Sequence, residues 1–80
     1  MKNKEYYEVN GQYKQTILDF MVPVIRMCRN CEDLVNLEFT CSERYEETVI
    51  CIFKNGYTKE INVNMDSALA MISDVCRHIQ

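Results

Sequence analysis

The chain has 80 residues, and a domain this size hides only about 60–65% of its unfolded surface, enough for one core. Its composition, 48% hydrophobic and 26% charged, excludes a disordered chain. No run approaches the roughly 20 apolar residues that cross a bilayer, and Met1 to Asn10 lacks the apolar stretch of a secretory leader. A cytoplasmic location without membrane contact is the expectation.

The net charge of −3 is unevenly placed. From Glu32 to Glu47 there are six acids (Glu32, Asp33, Glu38, Glu43, Glu46 and Glu47) against one base, Arg44. The remainder carries six acids and eight bases. A concentrated negative field of this kind steers basic partners. The plainer reading is a solvated loop that keeps the protein in solution.

Met1 to Asn10 reads as a flexible tail that Tyr6, Tyr7 and Val9 give the means to dock, and residues 11–80 as one α+β domain. From Gln12 to Cys31, Tyr13, Ile17, Met21, Val24, Cys28 and Cys31 recur at helical spacing, with Leu18, Phe20 and Ile25 beside them. Gln12, Thr16, Asp19, Pro23, Arg26 and Asn30 form the opposite face. Both faces stay in phase across Pro23, which predicts one kinked helix, with two short helices as the alternative. Val35, Leu37, Phe39 and Cys41 then alternate with Asn36, Glu38 and Thr40 as a strand. After a polar loop, Thr48 to Lys54 is apolar on both sides, which suits a central strand. Asn55-Gly56 signals a two-residue hairpin turn. A third strand sets Tyr57, Ile61, Val63 and Met65 against Thr58, Glu60, Asn62 and Asn64. A last helix runs from about Asp66 to Ile79, capped by Asn64 or Asp66, with Ala68, Leu69, Ile72, Val75, Cys76 and Ile79 as its apolar stripe. The order is α-β-β-β-α: a three-stranded antiparallel meander with two helices packed on one face.

A two-residue turn fixes the pairing. Ile52 then faces Lys59, Ile50 faces Ile61 and Thr48 faces Val63, all toward the core. The other face is left with a Val49-Cys51-Phe53 stripe beside Glu38 and Glu60, and an apolar stripe on an open sheet is a candidate contact surface. Coverage by the tail or by a second copy is the alternative.

Catalytic chemistry finds little support. His78 is the only histidine and lies near the chain end. Two glycines, Gly11 and Gly56, cannot build a phosphate-cradling loop. Glu46 and Glu47, as neighbours on a strand, point apart. Five cysteines without a secretory leader argue for reduced thiols rather than a disulfide framework. Cys28-Arg29-Asn30-Cys31 is a CxxC, but it falls at the end of a helix, where the dipole does not favour a thiolate. Cys76 and His78, two apart on a helix, point roughly 200° from each other and cannot complete a zinc site. No enzyme activity, metal or cofactor is expected.

The element order resembles the double-stranded-RNA-binding domain. That family contacts phosphates from the opening of its last helix, where this chain has Asn64, Met65, Asp66 and Ser67, without a base. Direct nucleic-acid binding is therefore not expected. Leu37 to Ile79 also resembles the small acidic phage anti-CRISPR proteins that inhibit the CRISPR nuclease: a strand, an acidic loop, an aliphatic strand, an Asn-Gly turn, a third strand and an amphipathic helix. That resemblance implies a DNA mimic whose carboxylates occupy a basic groove. The turn, acidic in the best-known member, reads Lys54-Asn55-Gly56-Tyr57 here, so only the acidic docking loop carries over. Two readings result. In one, a non-enzymatic inhibitor uses Glu38, Glu43, Tyr45, Glu46, Glu47 and Glu60 with Val49, Cys51 and Phe53 to block a basic, nucleic-acid-binding protein. In the other, a structural module, monomer or homodimer, uses the open sheet face.

Overall fold

The computed structural model describes residues 2–79, and the side chains of residues 11–79. Helix α1 (Lys2–Cys28) leads into strands β1 (Leu34–Cys41), β2 (Glu47–Phe53) and β3 (Thr58–Asn62), and helix α2 (Ala68–His78) follows. The fold is α+β. The sheet is antiparallel in the order β1-β2-β3, and both helices bury their apolar sides on the same face of it.

Helix α1 is longer than its periodicity suggested, beginning at Lys2 rather than Gln12. Residues 2–10, read from the sequence as a tail, hold no glycine or proline to stop a helix. Gly11 costs about 1 kcal/mol against alanine inside a helix, but it sits beside the Phe39 ring and does not end it. The docking expected of Tyr6, Tyr7 and Val9 concerns side chains outside those described. The helix is continuous through Pro23, which lies exposed.

The helix stops through a left-handed residue. Asn30 has φ 56°, the Cys31 N–H donates to the Arg26 carbonyl at 3.0 Å, and the Asn30 N–H donates to that of Met27 at 3.4 Å. These are the two bonds of a Schellman stop, whose following residue usually turns apolar surface inward. Cys31 is that residue and is buried, while Cys28 is exposed. The CxxC spacing thus belongs to a helix terminus.

Strand β1 breaks its alternation once. The pairing shifts between Leu34 and Asn36, so Leu34 is buried and Val35, expected on the core side, is exposed. Beyond the shift Leu37 faces inward as expected. The free edge of β1 is partly closed by Gln15 of α1: its amide donates to the Leu37 carbonyl at 2.8 Å and accepts from the Phe39 N–H at 2.7 Å.

The turn between β2 and β3 differs from expectation, and the difference reverses one strand. Only Gly56 has positive φ there, at 85°; Asn55 does not. A two-residue type I′ turn needs both. Instead the Gly56 N–H donates to the Phe53 carbonyl at 3.0 Å, and the Phe53 N–H donates to that of Tyr57 at 2.9 Å. This is a three-residue loop, Lys54 to Gly56, with glycine at the left-handed position. The extra loop residue slides the register by one: Val49 pairs with Ile61, Ile50 with Glu60 and Ile52 with Thr58. A slip of one sends every side chain of a strand to the other face. Val49, Cys51 and Phe53, read as an outward stripe, are therefore core residues.

Helix α2 starts later than expected. Its cap is Ser67, whose hydroxyl accepts from the Ala70 N–H at 3.2 Å, rather than Asn64 or Asp66. Met71, Val75 and Ile79 face inward with Ile72 and Cys76 against them, whereas Leu69 points to solvent. The core is closed by Leu18, Val22 and Ile25 from α1 over Leu34, Leu37, Val49, Cys51, Phe53, Ile61 and Val63.

Candidate protein-binding face

The sheet face away from the helices presents three cross-strand rows. Thr40, Thr48 and Asn62 form one, Glu38, Ile50 and Glu60 the next, and Asn36, Ile52 and Thr58 the third. Ile50 and Ile52 are half-buried, Glu38 and Glu60 exposed. The nine positions include two carboxylates and no base. Neighbouring strands lie about 4.8 Å apart, so Glu38 and Glu60 each stand one strand spacing from Ile50 and about twice that from each other. Sequence reasoning assigned Ile50 and Ile52 to the core. The three-residue loop places them outside, and the Asn55-Gly56 pair by itself is compatible with either loop length.

Loop 42–46 extends from the Thr40–Thr48 end of this face. It is a compact, internally bonded turn. The Ser42 N–H donates to the Glu46 carbonyl at 3.0 Å and the Tyr45 N–H to the Ser42 carbonyl at 2.9 Å. The Ser42 hydroxyl accepts from the N–H groups of Arg44 and Glu46 at 3.2 and 3.1 Å. Tyr45 sits at φ 62°, a left-handed conformation that non-glycine residues adopt at a cost. Glu43, Arg44, Tyr45 and Glu46 are all exposed. Of the acids proposed from the sequence, Glu38, Glu60, Glu43 and Glu46 therefore stand in solvent, with Tyr45 among them.

Glu47 does not. It is buried and meets Lys14 of α1, also buried, whose Nζ lies 3.4 and 3.5 Å from its two carboxylate oxygens. The Lys14 ammonium also donates to the Asp66 carbonyl at 2.7 Å and stands 5.4 Å from the centre of the Phe39 ring. Glu47 Oε1 accepts in turn from the N–H of Met65, itself left-handed at φ 62°. The carboxylate thus ties α1, β2 and the β3–α2 connection together and is unavailable to a partner. Nothing in the acid run distinguished Glu47 from Glu46. The clue lay in Lys14, a lysine four residues before Leu18 and in phase with it.

Val49, Cys51 and Phe53 are likewise withdrawn from any contact surface. Burial pushes the Cys51 thiol up to about 11, so it is protonated at neutral pH and is no nucleophile. Desolvation, with the Glu47 charge next, also raises the Cys41 thiol. Among the described residues, no three His, Cys, Asp or Glu side chains converge on a point able to hold a metal ion. His78 is exposed at the end of α2. An open groove at the end of α1 is lined by Pro23, Arg26, Met27, Asn30, Glu32 and Lys54. Among the described residues no helix is long and apolar enough to cross a membrane. No protein-family model, curated protein or solved structure matches the chain.

Proposed function

We propose that this protein is a non-enzymatic binding module that engages a basic surface of another protein through its open sheet face and loop 42–46. The observation that carries the reading is the Glu38–Ile50–Glu60 row on an uncovered face. A half-buried isoleucine between two carboxylates offers an apolar anchor and a charge frame that selects lysine- or arginine-rich partners. Glu43, Glu46 and Tyr45 continue this surface on a loop held in shape by its own hydrogen bonds, so little ordering cost is left for binding. Tyrosine is among the residues that most often dominate interface energetics. The finer form of the proposal follows the phage-inhibitor resemblance: the basic surface is a nucleic-acid-binding groove, and the carboxylates take the place of phosphates. Acid frames act mainly through the association rate and through charge matching.

The test is affinity capture from a bacterial lysate with two baits, the natural chain and a Glu38→Lys/Glu60→Lys variant, at low and high salt. The expected result is a basic protein held by the natural chain, released as salt screens the charges, lost with the variant, and displaced by duplex DNA. Identical captured sets for the two baits would remove the proposal. Capture that duplex DNA fails to displace would remove its finer form only.

A further inference from the structure

Helix α1 has a second apolar face that the fold does not use. Tyr13 is 58% exposed, Phe20 77%, Val24 40% and Met27 83%, and Ile17 lies partly exposed between them. Their spacing alternates four and three residues from Tyr13 to Met27. At 100° per residue all five fall within an arc of about 80°. That arc is centred about 145° around the helix from Leu18, Val22 and Ile25, which face the core. The seam is therefore not a frayed margin of the core stripe. It is a separate heptad line, with Tyr13, Phe20 and Met27 at one core position and the β-branched Ile17 and Val24 at the other, the arrangement that pairs helices. In the sequence, Tyr6 stands one heptad before Tyr13.

We infer that this seam is where a second copy of the chain docks, α1 against α1 across a two-fold axis. Three features choose that occupant. First, the residues bordering the seam, Thr16 and Pro23 on one side and Met21 and Cys28 on the other, are uncharged. Two copies of a net-negative chain can therefore approach there without setting carboxylate against carboxylate. Second, the one exposed acid among the described side chains of α1, Asp19, stands about 120° around the helix from the seam's centre. Glu32 reaches only its Met27 end, where Arg26 and Lys54 accompany it, and Glu38, Glu43, Glu46 and Glu60 stand on the open sheet face and loop 42–46. Third, the area is of the right order. At about 200 Å² for a large side chain, the four exposed residues offer roughly 500 Å² per copy. Ile17 and the uncharged borders bring this toward the roughly 800 Å² per partner of a stable interface. From Tyr13 to Met27 the seam runs about 21 Å along the helix, and each of its five residues is at least partly exposed.

The inference is independent of the proposed binding face, and one set of variants separates the two. Sedimentation of the full chain over a concentration series should show a monomer–dimer equilibrium. Phe20→Glu, at the middle of the seam, should weaken it about 30-fold or more, the loss expected of a central interface residue, and Met27→Glu, at its end, should weaken it less, both with unchanged circular dichroism. Ile50→Glu, on the open sheet face, should leave the dimer intact. A natural chain that stays monomeric throughout overturns the inference, as does dimerisation unaffected by both helix substitutions or abolished by Ile50→Glu.

Discussion

The two faces of the sheet are built from the same central strand and have opposite fates. Strand β2 reads Val49-Ile50-Cys51-Ile52-Phe53, and by residue type either side could face a core. The covered side carries Val49, Cys51 and Phe53 beneath the helices; the open side carries Ile50 and Ile52 between threonines, asparagines and two glutamates. What separates them is the partners each side meets. On the covered side β2 stands between Leu37 and Phe39 of β1 and Ile61 of β3, with the half-buried Lys59 opposite Cys51 at the β3 edge. On the open side it stands between Glu38 and Glu60. A strand that is apolar on both sides has its orientation chosen by its neighbours and by the loop that sets their register.

The comparison is sharpest at Glu46 and Glu47, adjacent acids on opposite sides of the divide. Glu47→Ala leaves the Lys14 ammonium buried without its counter-charge, and breaking a buried pair from one side costs about 3–5 kcal/mol. Glu46→Ala, on the exposed loop, should change stability by no more than about 0.5 kcal/mol. Urea unfolding of the two variants measures the difference. A Lys14→Met/Glu47→Leu double variant should recover most of the loss, because removing both charges also removes their desolvation cost. Equal stabilities for the two alanine variants would mean that Glu47 faces water.

The next prediction concerns the loop that orients β2. Gly56→Ala forces a side chain onto φ 85° and should cost about 1–2 kcal/mol. Asn55→Ala loses only the bond its side-chain oxygen accepts from the Tyr57 N–H at 2.9 Å, about 0.5–1.5 kcal/mol. If denaturation instead shows a left-handed penalty at both positions, with Asn55→Gly stabilising, the turn is the two-residue kind and β2 is reversed.

Periodicity and turn residues were enough to read the element order, the antiparallel meander and the polar faces of β1 and β3. Strand alternation identified Glu38 and Glu60 as outward because their neighbours Leu37 and Ile61 are apolar while they are charged. The β2 face was not legible in this way, since both of its sides are aliphatic and the Asn55-Gly56 pair fits a two-residue or a three-residue loop. A similar ambiguity hid the second face of α1. Its apolar residues cover so wide an arc that Leu18 and Ile25 merged with Tyr13 and Val24 into one stripe, and only packing divides them. The buried Lys14–Glu47 pair was hidden for a different reason: its partners are 33 residues apart, and no local pattern records a contact made across the fold.

The smallest expected effect lies at the margin of the covered face, where the Lys14 ammonium holds the Asp66 carbonyl. Desolvation, then the hydrogen bond and charge of Asp74, lift the Asp66 carboxyl from 3.8 to about 6, against the opposing pull of Lys14 and with a further push from Glu47. Asp74 is lowered, first by that same hydrogen bond and then by Arg77, which it meets at 2.8 Å. The native state therefore holds the Asp66 proton more tightly than the unfolded chain does. Its contribution to stability is complete below the ordinary value of 3.8 and is lost as pH rises through about 6. Asp74 acts in the opposite sense, and its contribution is lost only as pH falls below 3.8, outside that window. Asp66→Asn keeps an uncharged side chain at every pH and leaves the backbone carbonyl to Lys14. Between those two values the melting temperature of the natural chain should fall with rising pH more steeply than that of Asp66→Asn. Parallel melting profiles across the window would show that the Asp66–Asp74 contact does not hold a proton in the folded state.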